Sequence, residues 1–264
     1  MTGKLLNWAL RLWTCAVMFF LLAPLLIIFI YAFNASNIQS WPIQGFTTRW
    51  FAEAWHNAEI FSALGLSIEV ALLATALSLL LGVAAAFAVH RYRFFGREAV
   101  SFIVVLPLAL PGVITGIALS SFFVFLHIGM SFWTIVIGHV TFCTVLVYNN
   151  VIARLRRLPG SLTEASMDLG ANTLVTFRRI TLPLISTALL SGALLAFALS
   201  FNEVIVTNFT AGAQNTLPLW IFGALRLGHK LPQVNVVVSV VIVFMLVPLL
   251  LSHWLMSRSD HVGR

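Results

Sequence analysis

Six long runs of apolar residues limit what this chain can fold into. A helix needs about 20 mostly apolar residues to cross the hydrocarbon core of a bilayer. The runs reach that length without the alternation of apolar and polar residues that marks barrel strands. They predict an all-α integral membrane protein, a single transmembrane domain over residues 1–264 with spans at residues 10–33, 64–89, 100–126, 132–152, 184–209 and 234–256.

The composition excludes an ordinary soluble domain. Of the 264 residues, 60% are hydrophobic and only 9% are charged, whereas a soluble domain carries about 25% charged residues. The sequence pI of about 10.5 does not indicate nucleic-acid binding, because the basic residues lie in short loops between apolar runs. Cys15 and Cys143 fall inside apolar runs without metal-ligand spacing, so neither a disulfide nor a metal site is expected.

The distribution of Lys and Arg predicts the orientation of the chain. With a cytoplasmic N-terminus, the outer segments contain only Arg49, Arg226 and Lys230. The other twelve of the 15 basic residues then lie in inner segments, at Lys4, Arg11, Arg91, Arg93, Arg97, Arg154, Arg156, Arg157, Arg178, Arg179, Arg258 and Arg264. Because cytoplasmic loops are enriched in Lys and Arg, both termini and the segment 153–183 are predicted to be cytoplasmic.

The predicted outer loop at residues 34–63 contains aromatic residues among polar ones. Trp41, Trp50, Phe51 and Trp55 recur at near-helical spacing. Trp is enriched at both membrane–water interfaces. The loop is therefore predicted to contain a short interfacial helix, for which the role of an aromatic anchor is a sufficient explanation.

The cytoplasmic segment between the fourth and fifth runs is more patterned than a passive linker. Pro159 and Gly160 end the fourth helix, after which Ser161 or Thr163 can cap a new helix with Glu164 in its first turn. A carboxylate in the first turn complements the positive end of the helix dipole. The pattern predicts a helix in this segment that is available to a cytoplasmic partner.

Several residues later in this segment add to the pattern. Ala165 and Ser166 are small enough for close approach of another surface, and Gly170 permits a sharp turn. Pro183 lacks a backbone donor and suits the start of the fifth span. The chain contains no Walker-type phosphate-binding loop, so any ATP that drives transport must be bound by another chain.

These residues carry a resemblance to a known family. Glu164-Ala165-Ser166, three residues, Gly170, nine residues and Ile180-x-Leu182-Pro183 resemble the Glu-Ala-Ala loop of ABC importer permeases, with Ser166 in place of the second alanine. From about residue 60 to the end, the chain is similar to permeases of spermidine/putrescine-type importers. The matching motifs are Leu106-Pro107-x-x-Leu110-Pro111-Gly112, Tyr148-Asn149-Asn150, Ala196-Phe197-Ala198-Leu199-Ser200-Phe201-Asn202-Glu203 and Thr216-Leu217-Pro218-Leu219-Trp220.

The resemblance implies a type I ABC importer fold and a set of partners. Residues 161–176 are expected to form a coupling helix that sits in a groove of an ATPase subunit. The expected coupling residues are Glu164, Ala165, Ser166, Asp168, Gly170, Ile180 and Pro183. The expected partners are two ATPase subunits, a second permease that is a homologous different chain, and a periplasmic or extracellular substrate-binding protein. The chain itself would hold no cofactor, since ATP and Mg belong to the ATPase subunits, and it would be a multi-pass protein of the bacterial inner membrane.

Two acidic residues within apolar runs are candidates for the solute pathway. Ionisable residues inside membrane spans are rare and usually face a cavity or a partner. Glu203 lies beside Asn202 and four residues before Thr207, which places Glu203 and Thr207 on one face of a continuous helix. Glu69 is the second acid and lies near the outer end of its span, where it could instead extend to the interface or pair with a basic group.

The identity of the solute depends on position 202. Polyamine-type permeases often carry two adjacent acids here, by resemblance, whereas this chain has Asn202-Glu203. A small amine-containing solute such as spermidine or putrescine is the main expectation. An ω-amino acid or an aminophosphonate is the alternative, because one negative charge selects a polycation less strongly than two.

A self-sufficient secondary transporter or channel is the rival hypothesis from another class. Such proteins show inverted repeats with interrupted helices near the membrane midplane, and the sequence shows neither. Pro107, Pro111 and Gly112 are expected only to kink the third span. No nucleophile–base pair is present, and the scattered histidines, His139 among them, suggest no ligand cluster, so the chain is not expected to be an enzyme.

Overall fold

The computed structural model describes residues 2–244, and helices account for their regular structure. The helices in chain order are α1 (Thr2–Ala32), α2 (Arg49–Trp55), α3 (Ala58–Arg91), α4 (Arg97–Ala109), α5 (Gly112–Phe125), α6 (Phe132–Leu155), α7 (Ser161–Asp168), α8 (Thr173–Thr176), a π-helical turn (Phe177–Thr181), α9 (Leu182–Asn202), α10 (Ile205–Thr210), α11 (Leu217–Leu227) and α12 (Leu231–Phe244). Within this range the only β pairing is an isolated bridge between Asn34 and Phe46. The predicted all-α fold is confirmed.

Four described helices are long and apolar enough to cross a membrane, at Leu6–Ala32, Ala58–Arg91, Phe132–Leu155 and Thr173–Asn202. The number becomes five if α4 and α5 are taken as one bent span. The apolar helix α12 is shorter, and the predicted sixth span at 234–256 lies partly outside the described residues. The count of six and the cytoplasmic position of both termini therefore stay predictions.

The chain divides into two compact units, of which one contains the residues up to Ile60 and those from Ile221 onward. In this unit the indole Nε1 of Trp50 donates to the carbonyl oxygen of Asn34 over 2.6 Å. Gln233 accepts from the side chain of Asn57 and donates to that of Glu53. The expected helix in the outer loop is present as α2, although Trp41 precedes it and lies outside the helix.

The second unit, Phe61–Trp220, contains all the predicted site residues. Its most buried element is α6, along which α9 packs in the opposite direction. Small residues permit close helix approach, as is usual in membranes. Gly192 of α9 faces the backbone of Val147, and Gly138 of α6 faces Val206 of α10. This arrangement makes α6 the central helix of the unit.

Close packing at Gly82 of α3 gives a test of this arrangement. A Cβ atom at Gly82 would lie 2.8 Å from Cβ of Val147 and 3.0 Å from the carbonyl oxygen of Thr144. Gly82→Ala is therefore expected to destabilise the fold by about 1–3 kcal/mol, the usual cost of overpacking. Gly65→Ala on the same helix is the control, because no atom lies within 4 Å of its new Cβ. Thermal unfolding of the purified protein measures both, and equal midpoints would contradict the close approach.

The third apolar run is interrupted rather than kinked. It forms α4 and α5, whose axes differ by 108°, where the sequence predicted one span over 100–126. Leu110 and Pro111 adopt extended backbone conformations between the two helices. The proline at 111 supplies no backbone donor and restricts the residue before it, which explains why the break falls there.

The fifth apolar run is interrupted as well. The helix α9 ends at Asn202, Glu203 is extended, and α10 begins at Ile205. The sequence predicted one helix over 184–209, so the expected helical face shared by Glu203 and Thr207 is not present. The expectation that no helix is interrupted was wrong at both places. Gly112 at the first break faces Ile205 at the second, where a Cβ added to Gly112 would lie 3.6 Å from Cγ2 of Ile205.

Candidate coupling segment and solute pathway

The candidate coupling segment was expected to be one helix over residues 161–176. The structure instead divides it into α7 and α8 around a turn. The helix α7 begins at Ser161 with Gly160 as its N-cap, and no side chain caps it. The expectation that Ser161 or Thr163 provides the cap therefore differs from the structure. Glu164 lies in the first turn and is exposed, as the sequence predicted, so its carboxylate faces the positive end of the helix.

Gly170 forms the turn between the two helices. Its φ is +82°, the left-handed region that glycine adopts without steric cost. The amide of Gly170 donates to the carbonyl of Met167, and the amide of Ala171 donates to that of Ser166. These two bonds form a Schellman motif, the usual glycine-dependent helix end. The predicted sharp turn is present, and it explains the glycine in the motif.

A buried hydroxyl pair fixes α7 against α8. The side-chain oxygens of Ser166 and Thr176 lie 2.9 Å apart, and both residues are buried. Asn172 caps α8 by accepting from the amide of Val175. The serine that replaces the second alanine of the motif thus has a partner within the segment, and it helps to hold the two short helices as one body.

The variant Ser166→Ala tests this pair. It leaves the hydroxyl of Thr176 buried without its partner, which is expected to loosen the segment by about 1–3 kcal/mol. The double variant Ser166→Ala/Thr176→Val removes both hydroxyls and is expected to recover most of that loss. Hydrogen exchange of residues 161–176 measures the effect, and equal protection in the single variant and the unmodified protein would show that the pair contributes nothing.

The segment also exposes apolar side chains that the sequence analysis overlooked. Leu169 is 89% exposed and Leu174 is 72% exposed, and Leu162 and Met167 are exposed as well. Large apolar side chains in a polar segment point to a surface that another protein covers. The signal was available in the sequence as leucines within a stretch already predicted to be cytoplasmic.

The segment joins α9 through the π-helical turn. The amide of Leu182 donates to the carbonyl of Phe177, five residues earlier. Pro183 is the second residue of α9 and has no backbone N–H to donate, which favours the local change of helix type. Arg154 of α6 donates from Nε to the carbonyl of Leu184 over 2.9 Å. Residues Thr173–Asn202 thus form one long helical element that is bonded to α6 near its first end.

The remaining predicted coupling residues lie at different distances from the turn. Ala165 and Asp168 are exposed on α7. Ile180 lies within the π-helical turn and is half-buried, while Pro183 is exposed at the beginning of α9. The structure therefore brings Glu164 to Gly170 together in one surface segment and places Ile180 and Pro183 at the junction behind it.

Two of the candidate pathway residues, Asn202 and Glu203, lie at the break of the fifth run. Glu203 is half-buried, and its Oε1 accepts from the amide of Val206 over 2.9 Å, so the carboxylate caps α10. Asn202 is exposed and donates from Nδ2 to the carbonyl of Ala198. Asn202 and Glu203 thus lie side by side at the end of α9.

The other two candidates are placed differently. Thr207 is fully buried, and its hydroxyl donates to the carbonyl of Glu203 over 2.9 Å. This bond stabilises the break, and the buried side chain of Thr207 is not accessible to a solute. Glu69 lies on an exposed face of α3, and no hydrogen bond or ion pair joins it to another described residue. The structure brings Thr207 to Glu203 and does not place Glu69 with them.

A polar cleft of about 410 Å³ opens between α6 and α9 at their ends nearest the coupling segment. Its polar lining residues are Asn149, Asn150, Arg154, Arg157, Thr187 and Ser191. Polar side chains in apolar helices are unfavourable against lipid. This face of the unit therefore needs water or another protein chain beside it.

A known protein family matches most of this chain. The model of the family described as binding-protein-dependent transport system inner membrane component matches residues 78–261. The putrescine transport system permease protein PotI of Escherichia coli K12 is 38% identical over 251 residues, covering 91% of this chain and 88% of PotI. The spermidine/putrescine transport system permease protein PotC of the same strain is 32% identical over 265 residues, covering 100% and 98%.

Solved structures share the fold at low sequence identity. A bacterial ABC transporter involved in the import of the acidic polysaccharide alginate has a TM-score of 0.71 at 17% identity, covering 96% of this chain and 97% of that one. An amino acid ABC transporter with histidines has a TM-score of 0.58 at 14% identity, covering 76% and 93%. The fold of this chain is therefore one that ABC transporters of different solutes share.

Proposed function

Since this chain belongs to the family of binding-protein-dependent transport system inner membrane components, a permease family of the bacterial inner membrane, we propose that it is the permease subunit of an ATP-driven importer for a small amine. The observation that carries this proposal is the course of α9. One end of α9 continues into the coupling segment, and the other end carries Asn202 and Glu203. A helix of 21 residues is about 30 Å long, so this element reaches from a protein-docking surface into the membrane.

The energy for transport enters through the coupling segment in this proposal. Two ATPase subunits bind ATP and Mg, and each receives a coupling segment, one from this chain and one from a second permease. The exposed leucines at 169 and 174 fit an apolar groove of the ATPase. Movement of that groove displaces α7 and α8, and the helical continuity into α9 passes the displacement to the spans as a rigid-body shift.

The solute meets the pathway at the break of the fifth run. The Glu203 carboxylate uses one oxygen to cap α10 and keeps its charge for a cationic amine, whose charge offsets the desolvation of the acid. The names of PotI and PotC specify putrescine and spermidine, and we propose the same class of solute here. Because Asn202 is neutral, the site has only one negative charge, and an ω-amino acid or an aminophosphonate remains the second candidate class of solute.

The second permease completes the pathway. The second permease covers the polar cleft beside Asn149 and Arg154, or water fills this cleft as part of the route to the cytoplasm. A substrate-binding protein delivers the solute to the outer side. The interrupted helices do not favour an independent secondary transporter, because membership of a binding-protein-dependent family requires the solute to arrive on another protein.

Reconstitution tests the proposed function. The ATPase, second permease and binding protein that copurify with the chain are coexpressed with it, and the complex is placed in proteoliposomes. ATP hydrolysis is measured with putrescine, spermidine, an ω-amino acid and an aminophosphonate. Stimulation by a polyamine above the level without binding protein supports the proposal. Stimulation by the zwitterions alone would assign the second class, and hydrolysis that no amine changes would refute an amine importer.

A further inference from the structure

The break of the fifth run lacks the residues that usually interrupt a helix. Residues 200–207 contain neither proline nor glycine. Inside a membrane an unpaired backbone group costs several kcal/mol, so other groups must replace the lost helical bonds. Side chains do so here, since the Glu203 carboxylate accepts from the amide of Val206 and the Thr207 hydroxyl donates to the carbonyl of Glu203.

His139 of α6 connects the two sides of this break. Its ring is buried, with 1% of the residue exposed. Nδ1 lies 2.7 Å from the hydroxyl oxygen of Ser200, which precedes the break, and Nε2 lies 2.8 Å from that of Thr207, which follows it. A single imidazole therefore fixes the last turn of α9 relative to α10.

The hydrogen-bond pattern assigns one neutral tautomer to this ring. The hydroxyl proton of Thr207 is donated to the carbonyl of Glu203, so Thr207 accepts from Nε2–H of His139. The unprotonated Nδ1 then accepts the hydroxyl proton of Ser200. Each group in the series is satisfied, and the series ends on the backbone of Glu203.

Two further polar contacts join α6 to the interrupted run. The thiol of Cys143 lies 3.3 Å from the carbonyl of Ala196 in α9. The hydroxyl of Thr134 donates to the carbonyl of Thr210 at the end of α10 over 2.7 Å. The helix α6 thus contacts both pieces of the interrupted run through polar groups, and His139 is the residue that contacts both at once.

We propose that His139 is a positioning residue for solute recognition, which holds the break of the fifth run and thereby places the Glu203 carboxylate in the pathway. This inference rests on the proposed function, because it takes the solute to pass Glu203. The ring acts through Thr207 and Ser200 and touches no solute itself. Its removal should alter the position of the acid, and so the apparent affinity for a cation, more than the amount of folded protein.

A first experiment detects the break without any solute. Asn202→Cys provides a thiol beside Glu203, in a background where the exposed Cys15 is changed to serine and the buried Cys143 is kept. The rate at which a small water-soluble maleimide labels this thiol is measured in the assembled complex. It is compared between the background protein and the variants His139→Gln, Thr207→Val and Val136→Ala. The first two are expected to change the labelling rate by about threefold or more, on the scale of lost buried hydrogen bonds. Val136→Ala removes only buried packing on α6 and is expected to leave the rate unchanged.

A second experiment measures the half-saturating concentration of putrescine for uptake. His139→Gln and Thr207→Val should each raise it by about tenfold, and Thr207→Ser, which keeps the hydroxyl, should restore most of the affinity. In a Glu203→Gln background the same changes should raise the half-saturating concentration little further, because the effects of substitutions in residues that act as a unit are not additive. Val136→Ala should lower the unfolding temperature without changing half-saturation.

The two experiments separate this inference from the proposed function. Altered labelling without uptake of any amine would support the role of His139 in the break and refute the amine pathway. Unaltered labelling in both His139→Gln and Thr207→Val would overturn the inference even if the complex imports putrescine. Additive effects with Glu203→Gln would also overturn it, since His139 would then be an ordinary stabilising residue.

Discussion

The Gly170→Trp permease, assembled with its partner subunits, is expected to lose ATP-driven uptake while it still reaches the membrane in normal amount. A Cβ at the exposed residue 170 would meet no atom within 4 Å other than those of its chain neighbours, so the new side chain begins in open space. In the proposed function the turn enters a groove of the ATPase, and that groove would not have the same freedom. A bulky side chain at the centre of the exposed segment should separate ATP hydrolysis from transport, with uptake falling below a tenth of the unmodified rate.

The variant Gly170→Ala is the matched control for backbone strain. Both substitutions place a side chain on a residue with φ of +82°, at a cost of about 1–2 kcal/mol for an L-residue in the left-handed region. The two side chains differ in bulk. If uptake is partly lost in the alanine variant and completely lost in the tryptophan variant, the additional loss comes from contact with the partner. Equal uptake by the two variants would show that no partner closes over this turn.

Part of the local structure of the candidate coupling segment could be predicted because its signals are local. A glycine at the end of a short polar helix indicates a left-handed turn, and Gly170 forms one. A glutamate three residues after a helix start indicates a first-turn carboxylate, and Glu164 is one. The bond between Ser166 and Thr176 could not be predicted, because it depends on how two short helices fold back on each other.

The two interrupted runs show where sequence reasoning reaches its limit. At Pro111 the backbone chemistry of proline marks the site of the break, although not its angle. At Glu203 the local sequence favours a continuous helix. Glu203 and Thr207 replace part of the lost bonding locally, but the ring that joins the two sides belongs to α6, with His139 lying 61 residues from Ser200 and 68 from Thr207. Such a break depends on tertiary hydrogen bonds, and no window of sequence around position 203 contains them.

The positions of the candidate pathway residues were consequently predicted in part. Glu203 and Asn202 do lie together at a polar point of the fifth run. Thr207 was selected because a continuous helix would place it on the same face as Glu203. The break instead buries Thr207, whose hydroxyl donates to the carbonyl of Glu203. His139 was set aside as a scattered histidine because its two partners are distant in sequence. A buried imidazole between two hydroxyls is visible only once the helices are packed.

The Glu203→Gln permease is expected to keep its fold and to lose affinity for dicationic amines. A glutamine side-chain oxygen can still accept from the amide of Val206, so the cap of α10 survives. The negative charge is removed, and a charge-assisted hydrogen bond contributes about 1.5–3 kcal/mol. The half-saturating concentration for putrescine should therefore rise by about 10- to 100-fold, as measured by uptake into proteoliposomes.

Two further variants separate charge from capping at this position. Glu203→Ala removes both, and should lower the unfolding temperature as well as the affinity, because losing a capping side chain costs about 1 kcal/mol. Asn202→Asp adds a second acid beside Glu203 and should favour spermidine over putrescine, despite the small cost of a carboxylate at the C-terminal end of α9. If Glu203→Gln imports putrescine with unchanged half-saturation, then Glu203 is a helix cap and nothing more, and the recognition of the amine must be sought on another face of the unit.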